Sequence, residues 1–340
     1  MPYLEIAMII AMIALGVLCA VNDLRYGIIP NKYVKLGLVI IVCSNVIYAT
    51  MGGVPYFRTW GINYFLAATL SIFLYFAGIW AAGDTKLFII LYGLIPARFF
   101  EEGSLTSAIV PFILIFLPAY IWIIVDSIKR MISGEKRYRS TIDIKGASLK
   151  WLRVVIEAFA FNSIICGLIP EFVSRNMLFS ATLMMIYAMI CSQWSIMNKT
   201  PVIIVHIALL IILSILGFII LPLPKLYAYP LFLALYTFQL FLASYNYQEL
   251  RCALVKPGLI LSATSVMRFQ SSRVQGLPSN MSEGMDARLS VSEADAVRRW
   301  EHSSQGSPTV TIVRKVPFGI MILIGFVLWV ITIGVRWSVV

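Results

Sequence analysis

Residues 3–22, YLEIAMIIAMIALGVLCAVN, form one unbroken apolar run whose single charge, Glu5, sits at its start. About twenty residues at a helical rise of about 1.5 Å match the ~30 Å hydrocarbon core of a bilayer, so the run reads as a membrane span. No Lys or Arg precedes Arg25, so the basic region that opens a cleavable signal peptide is missing and the segment is expected to stay as the first span. Comparable runs recur at 33–51, 61–80, 106–125, 154–170, 177–195, 201–222, 226–245 and 316–335, and a shorter one at 85–97 completes ten. The composition agrees: 60% of the 340 residues are hydrophobic and only 13% charged, against roughly 25% charged in a soluble domain. The expected fold is an all-α polytopic membrane protein of about ten transmembrane helices.

The net charge of +11 is first a topology marker. With the N-terminus outside, 22 of the 27 Lys and Arg residues fall on the inner side, and only Arg58, Arg98, Arg175, Lys225 and Arg336 remain outside. Omitting the short run 85–97 would invert every later loop and lose this asymmetry. Every basic residue thereby has a side of the membrane, and no nucleic-acid partner is needed to explain them. The expected organisation is a membrane core over 1–126, a basic cytoplasmic loop over 127–153, four further spans over 154–246, a small cytoplasmic α/β domain over 247–315 and a last helix over 316–340. Within 247–315, part of which has the Ser- and Gly-rich composition of a disordered segment, Ser292 to Asp295 resembles a capping box opening a helix through His302, and PTVTIVRK alternates like a strand. The five cysteines are scattered without a C-x-x-C pair, which suggests neither a zinc site nor a disulfide framework, and no cofactor or metal motif is evident.

Ionisable groups at membrane spans are expensive and are therefore candidates for function. Most have a plain explanation. Glu5 is expected to be solvated at the outer end of the first span; Glu101 and Glu102 lie in an outer loop; Asp126 has Lys129 and Arg130 at helical pairing distance, and Glu157 has Arg153. His206 reads as a structural histidine within its span. Asp23, at the inner end of the first span, and Asp84, before the short run, have no opposite charge at i+3 or i+4. Two crossings separate them, so they are expected at one face and at similar depth. Small residues Ala81, Ala82 and Gly83 precede Asp84, and Pro30 with Asn31 follows Asp23 at a turn into the next span. Spacing leaves two readings open: ordinary interface acids, or a carboxylate pair that titrates as a unit, one activating water and the other protonating a leaving amide nitrogen.

Two strings bear on that choice. DLRYGIIPNKYVKLGL (Asp23 to Leu38), followed by AAGDTKLFIILYGLIP (Ala81 to Pro96), resembles the prepilin and preflagellin peptidases, intramembrane aspartyl proteases of the GxGD type. The resemblance implies Asp23 and Asp84 as catalytic residues, with Pro30 and Asn31 of an Ile-Pro-Asn string and Gly83 and Lys86 of a Gly-x-Gly-Asp-x-Lys string in support. One departure is visible, because Ala81 replaces the first Gly of the motif. The junction TIVRKVPFGIMILIGF, Thr311 to Phe326, looks like that of the archaeal preflagellin peptidases. The likeness covers about 1–135 and 247–340, and leaves out 151–246, which carries four more spans than family members commonly have.

The resemblance implies an aspartic endopeptidase in the cell (plasma) membrane that needs no cofactor. Its partners would be preflagellin- or prepilin-like membrane precursors, cut on the cytoplasmic face between a short basic leader and a hydrophobic helix. The absence of paired cysteines argues against the N-methylation that bacterial relatives add. Acids of the cytoplasmic segment, Glu283, Asp286, Glu293, Asp295 and Glu301, are interleaved with Arg288, Arg298 and Arg299 and are expected to form a balanced surface. Two other readings are an ion-coupled membrane carrier and a catalytically inactive scaffold of flagellum or pilus assembly.

Overall fold

The computed structural model describes residues 2–100, 106–133, 144–168, 176–193, 228–242, 247–314 apart from 271, 282 and 284–286, and 317–338, together with isolated positions between 201 and 215. Two compact units emerge, one of residues 1–122, 143–236 and 317–340, the other of 123–142 and 237–316.

The first unit is helical. Helix α1 (Pro2–Tyr26) is the opening apolar run. It stops where Gly27 adopts φ +67 and donates its N–H to the Asp23 carbonyl at 2.8 Å, the left-handed closure that glycine makes without steric cost. Pro30 then holds an extended conformation and α2 (Asn31–Phe76) begins. Helix α2 contains the second and third expected spans, Asn31–Met51 and Gly53–Phe76, joined at a kink. Gly53 at φ +73 breaks the helical path, and Pro55 lacks the N–H that would restore it. The sequence separates these spans by a loop of about ten residues; the structure needs only the kink.

Helix α3 (Ala82–Gly93) is the short run. Its 12 residues measure about 18 Å, less than the hydrocarbon core, and a 3-10 turn at Ala97–Phe99 follows. Beyond its first residues, which include exposed Lys86, it is apolar and buried: Leu87, Phe88, Leu91 and Tyr92 are fully enclosed. At its far end the Gly93 carbonyl accepts from Asn45 Nδ2 at 3.2 Å and Trp60 Nε1 at 3.3 Å, one donor from each limb of α2. These bonds satisfy a helix-end acceptor that burial cuts off from water.

Helix α4 (Thr106–Ile132) contributes Phe112 and Phe116. The Phe88 and Phe112 rings stack with centroids 4.4 Å apart, and Trp80 stacks on Phe112 at 5.4 Å. Helices α5 (Ile144–Leu168), α6 (Met177–Gln193) and α7 (Ala228–Leu242) follow. The final helix, α10 (Phe318–Ser338), packs against α1 and α3. Among the described residues, four helices are long and apolar enough to cross a membrane: Tyr3–Tyr26, Asn31–Met51, Gly53–Phe76 and Ser107–Ile132. Apolar side chains such as Ile6, Ile10 and Val17 on α1 and Val39, Val42 and Val46 on α2 stand exposed, as a lipid-covered surface requires. Met177–Cys191, Ala228–Phe238 and Phe318–Ile333 are shorter apolar helices. The expected span 201–222 lies almost wholly outside the described residues.

In the second unit β1 (Tyr247–Arg251), β2 (Ile260–Leu261) and β3 (Thr309–Val313) form an antiparallel sheet in the order β1-β3-β2, with Leu250 opposite Val310 and Leu261 opposite Ile312. The expected strand PTVTIVRK is therefore the central one. Helices α8 (Ala263–Phe269) and α9 (Val291–Trp300) close a small core in which Phe269 meets Trp300 edge-on at 4.8 Å. The capping box is real but stands two residues earlier than expected. Ser290 Oγ accepts from Glu293 N at 3.3 Å, and the Glu293 carboxylate returns to Ser290 N at 2.8 Å. Ser290 has the extended conformation an N-cap needs, so the helix starts at Val291.

Candidate active site

Asp23 and Asp84 are both buried, 7% and 8% exposed, although Arg25 and Lys86 two residues on are exposed. Each carboxylate turns inward from a helix end. Asp84, in the first turn of α3, accepts the Ala81 N–H at 3.2 Å, the reach-back of a capping residue. Asp23, in the last turn of α1, accepts the Gly319 N–H at 3.0 Å from the first turn of α10. The donors are themselves linked, because the rings of Trp80, next to Ala81, and Phe318, next to Gly319, pack in a tilted contact with centroids 5.9 Å apart. A path of direct contacts thus runs from one acid to the other.

The supporting residues meet as well. Lys86 Nζ donates to Asn31 Oδ1 at 3.3 Å. The Ile29 side chain lies over Gly83, where an added Cβ would stand 3.5 Å from its Cδ1. Ile29 and Asn31 therefore contact Gly83 and Lys86, which brings the two strings together. Ala81 has φ −76 and ψ 156, a conformation open to any residue, so the replacement of a motif glycine costs no backbone freedom at that position.

Glu5 departs from expectation. It is 2% exposed, forms an ion pair with Arg98 at 2.8 Å and accepts a hydrogen bond from Tyr48 Oη. A carboxylate excluded from water needs such partners, and the Arg98 guanidinium supplies them from the turn after α3. Glu5 and Asp23 stand at opposite ends of α1, about 27 Å apart at the helical rise. Since Lys86 meets Asn31 and Arg98 meets Glu5, the chain from 86 to 98 runs from the turn between α1 and α2 toward the Glu5 end of α1.

Two of the other acids have the local partners expected of them. Glu157 pairs with Arg153 at 2.8 Å, and Asp126 pairs with Arg130 at 3.4 Å. Asp126 also binds Arg314, a partner 188 residues away that local spacing does not reveal. Glu283 is half-buried and engaged: it accepts from Tyr247 Oη at 2.6 Å and from Ala263 N at 2.9 Å, and so ties β1 to the start of α8. Glu101, Glu102, His206 and Asp286 lie outside the described residues. Among the described residues, no cluster of three His, Cys, Asp or Glu side chains is placed to hold a metal ion.

Sequence reasoning passed over Gly319 and the Trp80–Phe318 contact. A backbone donor has no sequence signature; the nearest signal is Pro317, which marks where α10 begins. Buried between these elements, Trp80 Nε1 and Thr85 Oγ1 have no hydrogen-bond partner among the described residues. No family model, curated protein or solved structure matches this chain.

Proposed function

We propose that this chain is an intramembrane aspartic endopeptidase resembling the prepilin and preflagellin peptidases, with Asp23 and Asp84 as its catalytic pair. The observation that carries the reading is the joining of the two motif strings, with both carboxylates buried and each held by a backbone N–H. One carboxylate takes a proton from water, whose oxygen adds to the scissile carbonyl carbon. The other, as the acid, gives its proton to the amide nitrogen as the carbon–nitrogen bond breaks, releasing a carboxylic acid and an amine. In this reading the chain crosses the plasma membrane about ten times with its N-terminus outside, and the pair lies at the cytoplasmic face. The substrate is a preflagellin- or prepilin-like precursor cut between a basic leader and a hydrophobic helix.

The test is co-expression of a precursor with wild type, Asp23→Asn and Asp84→Asn, followed on a gel. Wild type shortens the precursor and neither variant does. Processing by either variant overturns the assignment. Uptake of a solute into proteoliposomes driven by a proton gradient would favour the carrier reading instead.

A further inference from the structure

We infer that Gly319 is a positioning residue for the peptidase chemistry, its backbone N–H fixing the Asp23 carboxylate and its missing side chain allowing α10 to reach that carboxylate. This rests on the aspartic endopeptidase reading above. The Gly319 N–H belongs to the first turn of α10, where backbone donors have no partner within the helix, and it lies 3.0 Å from Asp23 Oδ2. A Cβ on residue 319 would stand 3.2 Å from both Asp23 Cβ and Oδ2 and 3.5 Å from Cγ. The two contacts at 3.2 Å are tighter than nine in ten real Cβ contacts, so a side chain here requires Asp23 or the start of α10 to give by a few tenths of an ångström.

The donor is itself immobilised. Phe318 packs on Trp80 at 5.9 Å and edge-on to Phe116 at 5.6 Å, so the start of α10 is braced by the segment that leads to Asp84 and by α4. One helix end thereby sets the place of Asp23 relative to the elements around Asp84. Reactions between positioned groups lose rate steeply when one shifts, while remote substrate contacts are left intact. The expected signature of losing this contact is a fall in kcat without a rise in KM.

Two replacements separate the donor from the space. Glycolic acid in place of Gly319 exchanges the N–H for an ester oxygen and adds no bulk; Gly319→Ala keeps the N–H and adds the Cβ. Gly61→Ala, where an added Cβ meets nothing within 4 Å, is the control. Cleavage of a precursor peptide is measured in detergent beside the melting temperature of each protein. Both replacements at 319 are expected to lower kcat about tenfold with KM within about twofold of wild type, the ester with its melting temperature lowered by only a few degrees, as loss of one buried hydrogen bond requires. An ester variant with wild-type kcat overturns the inference, and so does one whose loss lies in KM alone. Failure of the wild type to cleave any precursor overturns the peptidase reading itself, which Asp23→Asn measured alongside makes recognisable.

Discussion

Lys86 Nζ donates to Asn31 Oδ1 at 3.3 Å, joining two motif strings that lie 55 residues apart in the chain. The bond belongs to neither helix alone, since Asn31 opens α2 and Lys86 lies in the second turn of α3. Both side chains are exposed, so its contribution to stability is about 0.5 kcal/mol.

Asn31→Ala and Lys86→Ala should therefore leave the folded protein nearly as stable as wild type while loosening the approach of the two strings. A double-mutant cycle on precursor cleavage is expected to give a coupling of about 0.5–1 kcal/mol, with the double variant losing less than the two single losses combined. Strict additivity would mean that the bond does not act on the site.

At the other end of α1, Arg98→Met removes the guanidinium that neutralises buried Glu5. The Arg98 side chain is half exposed, which discounts the penalty to about 2 kcal/mol. Glu5→Gln combined with Arg98→Met should recover at least half of it, because no isolated carboxylate is then buried. Thermal melts in detergent decide the point, and a double variant no better than Arg98→Met would refute it.

Ser290→Ala deletes the acceptor of the α9 capping box at a cost of about 1 kcal/mol. The loss should be local. Hydrogen exchange is expected to quicken over Val291–Trp300 with little change in α1 or α3.

Burial pushes the Cys252 thiol up to about 11, with the nearby Glu301 charge adding to the effect. At pH 8 only about one molecule in a thousand then carries the reactive thiolate. Iodoacetamide at pH 8 should leave Cys252 unmodified in the folded protein and label it after denaturation in SDS. Its native labelling rate should climb about tenfold per pH unit up to pH 11.

Much of the fold was legible because apolar length is a local property. The runs 3–22, 33–51 and 106–125 became α1, the first limb of α2 and α4, and PTVTIVRK became the central strand. The kink at Gly53 was harder to read, since glycine and proline mark a break without saying whether a loop or a bent helix follows. Glu5 was misjudged because its partners lie 43 and 93 positions away, at Tyr48 and Arg98. Asp126 shows both cases at once: Arg130 was visible at i+4, and Arg314 was not.

The sequence by itself determined that this is a membrane-type helical chain with a small polar unit, and it singled out Asp23 and Asp84 with Pro30, Asn31, Gly83 and Lys86. Hydropathy, loop charge and short motifs are written in consecutive residues. Only the tertiary structure decided what surrounds those acids: the Gly319 amide on Asp23, the Trp80–Phe318 contact that links the two donors, and the Asn31–Lys86 bond. Backbone donors carry no side-chain code, and contacts between distant segments exist only once packing has excluded water and brought the helix ends together.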